Sequence, residues 1–490
     1  MRLRRAIVLA AALAAAVAPL SPGHAAGARD LARDRRARLA TGVVHEHLTA
    51  ADPDLSVNVA RISPEAQAEL RTVSAADAVD GAHLERPSAM CARVGCIAAI
   101  NGDFFRGNAP VGAVVSGGEM IRSPARSHRQ LMVGRDGAVR AGALDWYGSI
   151  VTTDLDRLRL RAVNRERGRN GLVLYTRAFG NRTATNRHGA ELSLRFVTPR
   201  GGRLLLGQTV LVRARSFASG IGNARIPAVG AVLSGNGKAA RALRALWRAM
   251  QAGDAGREML LRVETTPEVT TAIGGVPVLV RDGRRVVEDD GGSFVRSRHP
   301  RTIVGWNDAG EILLVAIDGR QPGYSAGATL VQAANVMIEL GATDALNLDG
   351  GGSTTFVVGG DVVNRPSDRL LPSARGSRIV QSVGAGVHAR NVERPVANAL
   401  VVVPAGAARA PKLPARLPAV PRTVVLAEPP HEADPASVLG GFRPAIVGAP
   451  RPLAPGGGLP VGLAGLANLA AMISLAAVVG RRALREHLAR

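Results

Sequence analysis

Three apolar runs along the chain end the same way, in a turn that carries an aspartate. "CIAAI" leads into Asn101, Gly102 and Asp103. "EILLVAI" leads into Asp318, Gly319 and Arg320, and "DALNL" into Asp349 and three glycines. Runs without polar alternation read as strands buried on both faces, so strands are expected through Ile100, over 311–317 and up to Leu348. Between the second and third runs the period becomes helical, in "TLVQAANVMIEL". Thr329 is the expected cap of a helix over 330–340, and Gly341 its left-handed stop. Strand, helix and strand in that order imply a right-handed crossover and parallel neighbours. "TTFVVGGDVVN" reads as a hairpin turning at Gly359 and Gly360, and "AIGGVPVLVRDGRRVV" as strand, turn and strand. "KAARALRALWRAMQ" (238–251) is one of few long helical patterns. The expected fold class is α+β, a mixed-sheet domain with a βαβ unit and few helices.

The ends of the chain follow other rules. "MRLRR" followed by "AIVLAAALAAAVAPL" and a small-residue exit at Ala25 or Ala28 has the order of a secretory signal peptide, over 1–28. Residues 459–480 carry no charge and are long enough to cross roughly 30 Å of hydrocarbon as a helix. The basic 481–490 segment behind them reads as a cytoplasmic stop-transfer tail. Prolines recur through 404–458, the composition of an extended linker. The folded domain is placed at 41–403. The expected location is therefore outside the cytoplasm, exported and anchored to the cell membrane.

Composition changes this picture little. The formal charge is +23, almost all from arginine, since lysine occurs only at Lys238 and Lys412. A nucleic-acid protein usually gathers its basic residues into blocks with aromatics between them. Here "RERGR" and "RDRR" are short and isolated, and no nucleic-acid partner is expected. The charge does favour anionic partners. The two cysteines, Cys91 and Cys96, form a disulfide in an exported protein or lie as buried thiols. A zinc site needs more ligands than surround them.

The glycine run suggests chemistry. Successive glycines after a buried strand can present backbone amides as an anion-binding nest. Gly350, Gly351 and Gly352 would form it, with Ser353 and Thr354 adding hydroxyl donors and Asn101 an amide. Arg301 and Arg320 could fork onto the same anion. Asp103, Asp318 and Asp349 would stand beside a bound phosphate as acid, base or nucleophile. Each piece alone is commonplace: "DGR" is a common solvated turn, Phe104 and Phe105 suit a core, and His299 suits a structural role. Their coincidence carries the weight. No ligand spacing demands a metal, and a divalent ion beside the aspartates is left open.

In order along the chain, "AAINGDFF", "GGVPVLVRDGR", "RHPRTIVGW", "LLVAIDGRQPGYSAGATL", "ALNLDGGGSTTFVV", "VVNRPSD" and "ERPVANALVV" resemble the phosphodiester glycosidase family. The resemblance covers most of 41–403 and is most specific from about Asn307 onward. It implies an enzyme that cleaves the bond between a sugar's anomeric carbon and phosphate, with Asp103, Arg301, Asp318, Arg320, Asp349 and Ser353 at its active site. The expected substrate is a sugar-1-phosphodiester or an anionic envelope glycopolymer. Two other functions stand beside it: a phosphodiesterase that breaks the P–O bond, and a non-catalytic binder of anionic wall polymer. The chain departs from the family pattern at 369–390, which reads as a surface insertion or a reshaped substrate entrance.

Overall fold

An eight-stranded sheet carries two of the three aspartate turns. Its order is Ala32–Ala40, Val43–Ala51, Asp54–Ile62, Ile312–Ile317, Arg301–Trp306, Asp344–Asn347, Val278–Arg281 and Arg284–Arg285, and every pairing in it is antiparallel. The computed structural model describes residues 31–125, 128–153, 156–198, 203–371, 378–380 and 390–406. The expected signal peptide, the linker beyond 406, the membrane segment and the basic tail lie outside the described residues, as does most of the 369–390 insertion. Among the described residues no helix is long and apolar enough to cross a membrane.

The expected helix is present as Leu330–Glu339. Thr329 and Gln332 form a reciprocal capping box, and Gly341 follows at φ 90°. Leu330, Ala333, Ala334 and Met337, at helical spacing, are buried against the sheet. The neighbours of this unit differ from expectation. Ile312–Ile317 and Asp344–Asn347 run parallel, because both pair antiparallel with Arg301–Trp306, which lies between them. "RTIVGW" is itself a fully buried strand, and its insertion separates the ends of the βαβ unit. The consequence is functional. The ends of the two outer strands and the start of the middle one meet at one edge, which brings Arg301, Asp318 and Leu348 together.

A five-stranded antiparallel sheet supplies the third turn. Its order is Asp361–Val362, Phe356–Val358, Ala98–Asn101, Asn398–Pro404 and Ala68–Ser74. The hairpin at Gly359 and Gly360 is as expected. Ile100, Phe356, Leu400 and Val402 of this sheet share a core with Val304, Leu314, Ala316 and Leu346 of the first. Full burial of each larger side chain favours the fold by roughly 1.5–3 kcal/mol. The far face packs on the Pro87–Val94 helix, whose Cys91 is disulfide-bonded to Cys96.

A second eight-stranded sheet, covered by the Lys238–Ala252 helix, holds a separate core. Its single parallel pair, Ala162–Val163 with Leu172–Thr176, makes it mixed. The molecule is α+β with few helices.

Candidate active site

Where the two sheets' turns meet, a cleft of about 230 Å³ opens. Asp349 and Gly350 to Gly352 line it together with Arg301, Arg320, Arg394 and His299. Phe104, Phe294, Ser293 and Asn347 complete the lining. A larger cleft of about 680 Å³ lies at the opposite end of the Ile312–Ile317 strand, by Gly310 and Ile312. Its charged lining is balanced, with the carboxylates Glu69 and Asp136 against the guanidiniums Arg71 and Arg135.

Asp349 is gripped through its backbone. Its N–H donates to Gly102 O at 3.0 Å, and its carbonyl accepts from Asn101 Nδ2 at 2.6 Å. Asn101 Oδ1 in turn accepts from Thr302 Oγ1 at 2.7 Å and from the Thr355 amide at 3.1 Å. Asn101 is fully buried. It therefore holds Asp349 in place and does not line the cleft, contrary to its expected role as a substrate ligand.

Of the three amides of the expected nest, that of Gly351 is taken up by the backbone. The run forms one tight turn, in which Gly351 N–H donates to Pro300 O, Ser353 N–H to Gly350 O and Thr354 N–H to Gly351 O. Ser353 and Thr354 are buried behind the turn and do not line the cleft. The glycines also make room for the arginines. Gly351 sits at φ 61°, and a Cβ there would lie 3.3 Å from the Arg320 guanidinium. A side chain at Gly352 would collide with Asp368 and Arg394.

Arg394 is held by Asp368, with Nε to Oδ2 at 2.8 Å and Nη2 to Oδ1 at 3.1 Å. This forked pair, with Asp368 buried, fixes the direction of the guanidinium. Arg301 donates to the backbone carbonyls of Ala328, Phe294 and Ser297 and lies over the Phe294 ring at 5.6 Å. Arg320 reaches His299 Nδ1 through Nε and Nη2, at 3.3 and 3.1 Å. A guanidinium only donates, so Nδ1 accepts and the ring proton sits on Nε2. The cleft thus sets three guanidiniums against one carboxylate. That set suits an anion, and it offers a divalent cation a single carboxylate.

The other two aspartates are brought near this edge but face away from the cleft. Asp318 is buried and accepts from Tyr324 OH at 2.9 Å, Asn364 Nδ2 at 2.8 Å and Arg365 N–H at 2.9 Å. Burial pushes its carboxyl above the usual carboxylate range, against the opposing pull of these bonds. A group raised on folding favours the fold while protonated and loses that contribution as pH rises through its folded value. The stability of the unmodified protein minus that of Asp318→Asn should therefore fall as pH rises from about 4 upward. Urea denaturation at a series of pH values measures this, and a flat difference would contradict it.

Asp103 is paired with His128 Nε2 at 2.8 Å, both side chains at 0% exposure, and accepts from the Gly112 amide. Two guanidiniums lie near it. Burial pulls Arg122 down to about 10 and, with help from Arg122, Arg165 to about 9, while Asp103 pulls both back up. Both remain cations at neutral pH, and Asp103 is their buried counter-charge. His128→Ala removes one of the carboxylate's partners and should cost about 3 kcal/mol of stability. An unchanged urea midpoint would refute this.

His299, Asn347, Phe294 and Arg394 line the cleft but were not assigned to it from sequence. His299, Asn347 and Arg394 lie in the family-like segments "RHPRTIVGW", "ALNLDGGGSTTFVV" and "ERPVANALVV", which were the available signal. Phe104, read as core, forms part of the cleft wall, with the Phe294 ring 6.2 Å away.

The α+β domain thus gathers three guanidiniums around one aspartate at a single cleft. Residues 210–403 match the family model described as phosphodiester glycosidase. That segment carries Arg301, Asp318, Arg320, Asp349 and the glycine turn; Asn101 and Asp103 precede it. The chain is 30% identical over 119 residues to the Bos taurus N-acetylglucosamine-1-phosphodiester alpha-N-acetylglucosaminidase, covering 22% of each protein. It thus spans about a fifth of the length of the curated relatives it matches. Among solved structures, a Synechocystis protein matches with a TM-score of 0.53 at 21% identity, covering 74% of this chain and 62% of its own. A Burkholderia pseudomallei K96243 protein matches with a TM-score of 0.51 at 24% identity, covering 72% and 74%. At these identities the two structures speak for the fold.

Proposed function

We propose that the chain hydrolyses sugar-1-phosphodiesters at the bond between the anomeric carbon and the phosphate oxygen. The observation that carries this reading is Asp349, held through its backbone in a cleft it shares with Arg301, Arg320 and Arg394. The phosphate monoester that departs is a weakly basic leaving group, so it needs charge neutralisation more than a proton. Three guanidiniums supply that neutralisation as charge develops in the transition state. Most glycosidases use two carboxylates, one of them to protonate the leaving oxygen. A phosphate leaving group removes the need for that acid, which fits a cleft lined by one carboxylate. Asp349 activates water or attacks the anomeric carbon, and Phe104 with Phe294 forms an apolar wall for the sugar face.

The relatives named for N-acetylglucosamine-1-phosphodiesters make that sugar the first substrate to offer. The signal-peptide and membrane-segment patterns in the sequence support a location outside the cytoplasm, with envelope glycans as the substrate class, and the disulfide suits that compartment. The test is incubation of the purified chain with an N-acetylglucosamine-1-(alkyl phosphodiester). Free reducing sugar is expected. Its absence across a panel of sugar-1-phosphodiesters, with the polymer still bound, would favour the non-catalytic binder.

A further inference from the structure

A hydrogen-bonded chain runs from the surface to the buried aspartate before Arg320. Asp34 Oδ1 lies 2.7 Å from His47 Nδ1, and His47 Nε2 lies 2.9 Å from Ser56 Oγ. Ser56 Oγ is 2.9 Å from Tyr324 OH, which is 2.9 Å from Asp318 Oδ2. The outer end reaches water, with Asp34 47% and His47 17% exposed. Ser56 and Asp318 are each 1% exposed.

Counting hydrogens constrains this chain. Its four contacts need four hydrogens, one each. A neutral His47, Ser56 and Tyr324 with an ionised Asp318 supply three. The fourth has three homes that satisfy every contact: exposed Asp34, which then donates to His47 Nδ1, and the two titratable groups further in, His47 and Asp318. On His47, the ring donates to Ser56, Ser56 to Tyr324 and Tyr324 to Asp318. On Asp318, the carboxyl donates to Tyr324, Tyr324 to Ser56 and Ser56 to His47 Nε2. Conversion between the inner two moves one proton from Nε2 to Oδ2, and each contact keeps one hydrogen throughout.

We propose that Asp34, His47, Ser56, Tyr324 and Asp318 form a proton-sharing relay through which the surface sets the charge of Asp318 beneath the turn that carries Arg320. Asp318 is then a positioning residue for that turn. The chain is also tied to the turn by backbone. Asp318 N–H donates to Ser56 O at 2.9 Å, and Ser325 Oγ donates to Asp318 O at 2.6 Å. The charged and titratable groups around the relay are Arg35 and His45 beside His47, and Arg365, whose guanidinium lies 5.1 Å over the Tyr324 ring. The relay rests on hydrogen-bond geometry and not on the glycosidase reading, and it can be tested without substrate.

The test is infrared titration of the purified chain, with the protonated-carboxyl band of Asp318 identified by its loss in Asp318→Asn. His47→Gln removes the inner alternative home for the proton and a positive neighbour, so the Asp318 midpoint should rise by about one pH unit. Asp34→Asn, at an exposed position that threatens the fold least, should raise it by weakening His47's hold on the proton. In a Tyr324→Phe background, which cuts the relay but leaves both ends, each substitution should move the midpoint far less. A midpoint that stays put in both single variants would overturn the relay. So would shifts of equal size with and without Tyr324, which would mark a through-space effect alone.

Discussion

Asp349→Asn should lower turnover of a sugar-1-phosphodiester by about 10³-fold or more while leaving KM within a few-fold. The substitution is nearly isosteric. The Asn101 and Gly102 bonds that hold position 349 are both to its backbone, so they survive it. What is lost is the one carboxylate lining the cleft. The guanidiniums that bind the phosphate remain, which is why the loss falls on kcat. Steady-state kinetics with a melting curve on the same sample separates this outcome from misfolding. Retention of more than a tenth of the activity would show that another group performs the chemistry.

Removal of the Arg320 guanidinium should be the next most damaging change, at about 10²–10³ in kcat/KM. Arg320 sits at φ 59°, a conformation that suits glycine, so Arg320→Gly deletes the charge without adding backbone strain. Arg320→Lys should recover little, because an ammonium cannot fork. A cation that neutralises the departing phosphate matters most when that group leaves poorly. The loss should therefore be larger for an alkyl phosphodiester than for a nitrophenyl one. Equal losses for the two leaving groups would place Arg320 in ground-state binding instead.

Much of the framework was legible in the sequence. Apolar runs without alternation marked the buried strands, "TLVQ" and Gly341 marked a helix with its cap and stop, and the glycine pair marked the hairpin. The site was legible as a set of turns but not as a set of directions. Periodicity shows that a turn follows a buried strand. It does not show which way the turn's side chain points, because partners distant in sequence decide that. Asp318 is drawn inward by Tyr324, Asn364 and Arg365, and Asp103 by His128, the buried Arg122 and the half-buried Arg165. The glycines read as an anion nest because their absent side chains were the only visible fact. The guanidiniums of Arg320 and Arg394 that occupy that space come from other segments. The Arg301–Trp306 strand was seen as a motif and not as a strand, so the topology lacked the element that separates the βαβ pair.

The most direct measurement is hydrolysis of an N-acetylglucosamine-1-phosphodiester in heavy-oxygen water, followed by mass spectrometry of both products. Attack at the anomeric carbon in the Asp349 cleft predicts label in the released sugar and none in the phosphate ester. Label in the phosphate ester would mean P–O cleavage and would contradict that chemistry.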